Sequence, residues 1–282
     1  MAVKILVDST FDFTQEQLDE LGLDCVRLRV HFGDAEFIDG VSMTPQQFYE
    51  RLIESDTLPT TSQATPTDFA EAFERLTANG DDVLALTLSS ELSGTYQSAM
   101  IAAADFAGHI RVVDTLSVSL GAQIIALYAH RLVSEGKGLD AAADEVEAAK
   151  GRAHVIALLD TLEYLKRGGR ISSAAAFTGG ILSIKPVITI RNGAVAVIGK
   201  ARGSKNGNNL LSQMIGKYGV DFSMPYMLGY SGLSDATLQK YKADSARLWV
   251  GHADDLPVMV IGSVIGTHAG PGALGVAFFG LE

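Results

Sequence analysis

Short apolar runs that stop in clusters of Asp, Ser and Thr, each followed by a helical stretch, set the rhythm of the first half of the chain. Val3 to Val7 predicts a buried strand ending at Asp8-Ser9-Thr10. Val83 to Leu88 predicts another, ending at Ser89-Ser90, and Ile110 to Val113 a third, ending at Asp114-Thr115. Thr14 stands as a helix N-cap with Gln17 at the reciprocal capping position, so a helix runs from there to about Leu21. Thr44-Pro45 opens a second helix, to about Ser55, with proline where its missing N–H does no harm. Thr65-Pro66-Thr67-Asp68 opens a third, and further helices are predicted from Ser93 to about Phe106, from Ser117 to Gly136 and over 139–150. Val26 to Phe32 alternates as a strand, and Leu58 to Gln63 reads as a polar loop. Repeated strand–loop–helix predicts a parallel sheet covered on both faces, with ligands beyond the carboxyl ends of its strands.

After about residue 150 the pattern changes. Ala153 to Leu159 predicts a strand, and Thr161 to Arg167 a short helix ended by Gly168-Gly169. Pro186 to Ile190 and Ala194 to Ile198 flank Asn192-Gly193, a two-residue hairpin signal. Tyr226 to Tyr230, Val258 to Ile261 and Leu274 to Phe279 add strands, with helices near 204–218 and 234–248. The fold expected is therefore α/β in two unlike domains. One is an N-terminal α/β/α domain over 1–150, with helices on both faces of a parallel sheet. The other is a C-terminal mixed-sheet α/β domain over 151–282.

Composition narrows the classes. The 282 residues are 47% hydrophobic, enough for a sizeable core. No apolar run approaches membrane-spanning length, and the start of the chain, broken at once by Asp8-Ser9-Thr10, is not a signal peptide. The single Cys25 gives neither a disulfide nor a metal pair. A cytoplasmic location is expected, without an integral membrane segment, so that any membrane contact would be transient. Twenty-two basic against 33 acidic residues leave a net charge of −11, which argues against nucleic acid as a partner.

Several motifs fail on context. Gly270-Pro271-Gly272-Ala273-Leu274-Gly275 spells the dinucleotide pattern, but a strand-like run follows where a helix is required. A tight turn that brings backbone close to a neighbour fits better. Gly199-Lys200 has the wrong spacing for a phosphate loop, and Gly229-Tyr230-Ser231-Gly232 lacks a spacer of the nucleophile elbow. The six histidines show no metal-ligand spacing. Thr60-Thr61-Ser62 reads as a polar loop or as a binding loop. Ser89-Ser90-Glu91-Leu92-Ser93-Gly94-Thr95 reads equally as a capped helix start or as an anion site at free N–H groups. His268, among glycines after a buried strand, is expected at a loop mouth.

Taken as a set, Val7-Asp8-Ser9-Thr10, Thr61-Ser62-Gln63, Ser90 through Ala99, Val112-Val113-Asp114-Thr115, Tyr164 through Ile171, Ile184-Lys185-Pro186 and Ile261 through Gly275 resemble the DegV family almost end to end. The resemblance implies the EDD fold and a long-chain fatty acid enclosed between the domains. It implies a carboxylate held by Thr61, Ser93 and His268, with Ser62, Gly94 and Arg202 as further head-group contacts. It implies no cofactor and no metal; the fatty acid is a ligand. In FakB-type members a separate ATP-dependent fatty acid kinase phosphorylates the bound acid, which then enters phospholipid synthesis. Many relatives carry a basic stretch after the late arginine, and here it reads Arg202-Gly203-Ser204-Lys205-Asn206-Gly207, which alters the surface a kinase would meet. Ala174 to Phe177 and Gly179 to Leu182 are candidates to line the acyl tunnel. Two rival functions stand beside the carrier. One is an acyl hydrolase with Ser93 as nucleophile, His268 as base and Asp114 or Asp8 as orienting acid. The other is a carrier of a different amphiphile, such as an isoprenoid or a sterol acid.

Overall fold

A computed structural model describes residues 2–106, 108–171, 184–249, 251–252 and 255–281. Ala174 to Phe177 and Gly179 to Leu182 lie outside the described residues.

The N-terminal half is built on β1 (Val3–Asp8), β2 (Leu23–Val26), β6 (Asp82–Thr87) and β7 (Ile110–Asp114). They pair in parallel in the order β2-β1-β6-β7. Alternation along the central strands feeds two different cores. Ile5, Val7, Leu84 and Leu86 point to one hydrophobic cluster, and Leu6, Val83 and Ala85 to another. The first core is closed by α5 (Leu120–Ser134) and α6 (Leu139–Ala149), the second by α3 (Pro66–Thr77) and α4 (Thr95–Ala103). Both faces are thus covered, as the apolar runs require. The chain leaves β1 for β2 on one side and returns as β6 on the other, so the strand order switches beyond Asp8 and Thr87.

Local chemistry sets the helix starts. Thr14 before α1 (Gln15–Leu21), Thr44 before α2 (Pro45–Glu54) and Thr65 before α3 each form a reciprocal capping box. The predicted strand over Val26–Phe32 is two strands in two sheets. After β2 the chain leaves the parallel sheet, the Leu28 N–H donates to Ser9 Oγ at 3.0 Å, and β3 (Arg29–Phe32) begins. A three-stranded antiparallel ribbon forms in the order β4-β3-β5, from β4 (Ala35–Ile38) and β5 (Thr60–Ser62). Its third strand falls on residues that read as a polar loop.

The other sheet is mixed, in the order β10-β9-β8-β13-β11-β12. Its strands are β8 (Ala153–Leu158), β9 (Ile184–Arg191), β10 (Ala194–Arg202), β11 (Met227–Tyr230), β12 (Val258–Val260) and β13 (Leu274–Phe279). Asn192 and Gly193 turn β9 into β10 with φ of 50° and 80°, the hairpin geometry their sequence signals. Among the described residues four helices lie between these strands: α7 (Glu163–Arg167), α8 (Ser204–Tyr218), α9 (Ala236–Ser245) and α10 (Ser263–Ala269). The dinucleotide-like glycines serve packing. Gly275 pairs with Gly229 across β13 and β11, and a Cβ on either would press on Leu120 at the start of α5. That helix therefore lies on the mixed sheet as well as the parallel one, and Val155, Ala157, Ala277 and Phe279 join the same cluster as Ile5 and Leu84. No helix among the described residues is long and apolar enough to cross a membrane.

Candidate ligand-binding site

Between the two sheets lies a slender cavity whose wall is drawn from both halves. Its sides are aliphatic, among them Leu28, Leu88, Val118, Leu120, Val155, Ile188, Ile190, Val195 and Ile265. Its volume is about 110 Å³, small for so extended a wall, so the space is a bore. Its polar lining comes from Thr61, Ser62, Gln63, Ser93, Ser119, Arg170 and His268.

Each head residue is placed by its backbone. Thr61 lies opposite Val30 in the β3–β5 pair, on the ribbon face turned to the core. Ser62 takes the other face, and its hydroxyl bonds to His31 Nε2 at 3.0 Å. Thr61 Oγ1 and His268 Nε2 share a hydrogen bond of 3.0 Å across 207 residues of sequence. Ser93 does not cap α4. The N-cap is Gly94, and Ser93 Oγ bonds Thr95 Oγ1 at 2.9 Å and accepts from the Thr95 N–H. A Cβ on Gly94 would collide with the Gln63 amide, which donates to Ser98 Oγ at 3.0 Å. Gly94 thus serves the close approach of the Thr61–Gln63 strand to α4 and does not itself line the cavity.

Arg170 had no assigned role in the sequence, yet it reaches the same place. After α7 the Arg170 N–H donates to the Leu165 carbonyl and the Gly169 N–H to that of Lys166, with Gly169 at φ 71°, so the chain doubles back. Arg170 Nε then donates to the Leu92 carbonyl at 3.1 Å and Nη1 to the Gly168 carbonyl at 2.7 Å, beside Ser93. A Cβ on Gly168 would strike the His268 ring, so the glycine lets the end of α7 lie against the imidazole.

His268 sits not at a loop mouth but on α10, half-buried. Burial first, and the Arg170 charge second, depress its pKa to about 4. The ring is therefore neutral at pH 7. The positive charge that faces the cavity is the guanidinium of Arg170, not an imidazolium. His268 Nδ1 is buried and has no hydrogen-bond partner among the described residues, an exception to the usual pairing of buried polar atoms. Arg202, by contrast, is exposed at the end of β10 and is not among the lining residues.

The hydrolase arrangement is not assembled. Ser93 pairs with Thr95, while His268 pairs with Thr61. The Asp114 carboxylate accepts from the Ser90 and Leu116 N–H groups, and Asp8 accepts from Thr10 and Leu88; neither carboxylate orients the imidazole. Among the described residues no group of three or more metal-ligating side chains gathers.

The family model described as "Uncharacterised protein, DegV family" matches residues 2–280. The chain belongs to the DegV family. It is 36% identical over 280 residues to a DegV domain-containing protein of Deinococcus radiodurans, with 98% of each chain covered. A DegV family protein from Thermus thermophilus, described by its fatty acid binding, superposes with a TM-score of 0.88 at 35% identity over 100% of both chains. DegV of Bacillus subtilis, a fatty acid binding protein, superposes with a TM-score of 0.82 at 27% identity over 99% of both. The α/β architecture of this DegV-family chain, a parallel sheet joined to a separate mixed one, is that of these relatives.

Proposed function

We propose that this DegV-family chain is a carrier for one long-chain fatty acid, whose tail fills the aliphatic bore. Its carboxylate meets Thr61, Ser93 and His268, with Arg170 as the counter-charge. The observation that carries this reading is the Thr61–His268 hydrogen bond of 3.0 Å on the wall of a largely aliphatic cavity. The fatty acid binding of the Thermus and Bacillus relatives supports it.

Magnitudes divide the labour between tail and head. About fifteen buried methylenes at about 0.8 kcal/mol each contribute on the order of 12 kcal/mol, part of which is lost in ordering the chain. Hydrogen bonds to the charged head contribute about 1.5–3 kcal/mol each. The tail supplies affinity, and the head fixes orientation. A carboxylate buried without partners would be expelled; two hydroxyls, a neutral imidazole and a guanidinium suit it.

Denaturing extraction of the purified protein followed by mass spectrometry tests the proposal directly. A stoichiometric C14–C20 fatty acid is expected, and an isoprenoid, a sterol acid or an empty cavity after loading with palmitate would overturn it. We further propose that the carboxylate is presented to a separate fatty acid kinase in the cytoplasm. The exposed Arg202 would belong to that docking face, not to the head-group site. Acyl-phosphate formation with such a kinase and ATP is the assay, and Arg202→Ala should slow it without changing lipid retention. The division of the chain at about residue 150 rests on the sheet strands falling cleanly to either side of it.

A further inference from the structure

A second polar cluster lies away from the ligand head, on the floor of a polar groove formed by the loop after β1, the start of α2 and the edge of β12. Its centre is Asp12, which the fatty acid reading leaves without a role. Asp12 has a left-handed backbone, φ 59°, and Ser119 also has a positive φ, 52° with ψ −128°, conformations that L-residues avoid unless their surroundings impose them. The two are joined: Ser119 Oγ donates to Asp12 Oδ2 at 2.5 Å. The other oxygen, Oδ1, accepts from the Gly262 N–H at 3.0 Å, and a Cβ on Gly262 would overlap that carboxylate. Ser119 lines the cavity just before α5, and Gly262 is the N-cap of α10, which brings Ile265 and His268 to the same cavity.

We infer that Asp12 is a positioning residue for ligand binding: its carboxylate staples Ser119 to the N-cap of α10 and so sets where His268 meets the head group. The inference rests on the reading that His268 faces the bound carboxylate. Asp12 touches no ligand itself and acts through α10. The far end of that helix has a different anchor, Ser231 Oγ donating to the Gly270 carbonyl at 2.6 Å, and the Tyr49 hydroxyl holds the Ile261 carbonyl just before the N-cap at 2.9 Å, so loss of Asp12 shifts the helix start without releasing the helix.

Two variants suit the left-handed backbone at position 12 and spare the fold. Asp12→Gly removes the staple, and Asp12→Asn keeps an acceptor for Gly262 and a polar partner for Ser119. Both are made in the full chain, delipidated, with His268 followed by NMR titration and affinity by a fluorescent long-chain fatty acid. With Asp12→Gly, the imidazole should titrate upward from about 4 toward its ordinary 6.5, because the ring is no longer held in its buried place. Affinity should fall about tenfold, the scale of one hydrogen bond to a charged group. Asp12→Asn should match the wild type in both. An unchanged His268 titration in lipid-free Asp12→Gly overturns the inference. Thr61→Ala runs in parallel: wild-type affinity there would sink the head-group reading, while the lipid-free titration still decides the role of Asp12.

Discussion

The cavity head and the carboxyl cluster behind it are both polar islands in an apolar interior, and they are built on opposite terms. In the carboxyl cluster the acids are met from within. Asp8 accepts from the Thr10 N–H, the Thr10 hydroxyl and the Leu88 N–H at 3.0, 2.5 and 2.7 Å. Asp12 accepts from Ser119 and Gly262. At the head, His268 Nδ1 has no partner among the described residues and the ring is neutral beside an arginine. Polar groups that are fully answered hold a fold; groups left with spare capacity around a cavity are answered by a ligand. The contrast separates a cluster of acids at the strand ends from a head of hydroxyls, an imidazole and a guanidinium.

The largest effect should come from the satisfied island. Asp8→Ala leaves three buried donors unanswered and should lower stability by about 3–5 kcal/mol in urea unfolding; a loss under about 1 kcal/mol would erase the distinction. Next comes pH. The unfolded chain protonates His268 more readily than the folded one, so stability should rise with pH from about 4 to 6.5. Burial lifts Asp8 to about 6, so the folded chain holds that proton more tightly and the Asp8 contribution should fall as pH rises from 3.8 to 6. Each swing is on the order of 3 kcal/mol. His268→Ala should weaken the rising limb, which His154 shares, and Asp8→Asn the falling limb, which Asp12 and Asp39 share, as read from unfolding midpoints across that window. Arg170→Ala should weaken fatty acid binding about 10- to 100-fold, with His268 titrating higher once the neighbouring charge is gone. Thr61→Ala should give the smallest change, a several-fold loss of affinity with stability altered by under about 1 kcal/mol. If Thr61→Ala destabilised as much as Asp8→Ala, the head would be a structural network and the comparison would collapse.

What the sequence disclosed follows the range of the forces involved. Capping boxes at Thr14, Thr44 and Thr65 and the Asn192-Gly193 hairpin are decided within a few residues, and they stand where the pattern puts them. The break between Val26 and Arg29 is not decided locally. Alternation runs unbroken through Val26, Leu28, Val30 and Phe32, and only the distant Ser9 hydroxyl shows where one sheet ends. Thr60–Ser62 becomes a strand because Arg29–His31 supplies its partner. The helix that carries His268 contains Gly266, which propensity disfavours. There Gly266 packs so closely on Phe48 and Tyr49 that no larger residue would fit. Thr61, Ser93 and His268 could be named from the family resemblance, and the cavity gathers all three on its wall. Arg170 could have been suspected from Gly168-Gly169, which turns the chain back on itself, but not aimed at Leu92. Arg202 carries the same chemistry but is exposed at the end of β10, away from the residues that line the cavity.

The packing of α5 on both sheets bears on how cargo gets in and out. A clamshell motion about the middle of the chain would have to peel Ile124 and Ile125 from Val155, Ala277 and Phe279, flooding a continuous oily seam with water at about 25 cal/mol for every Å² laid bare.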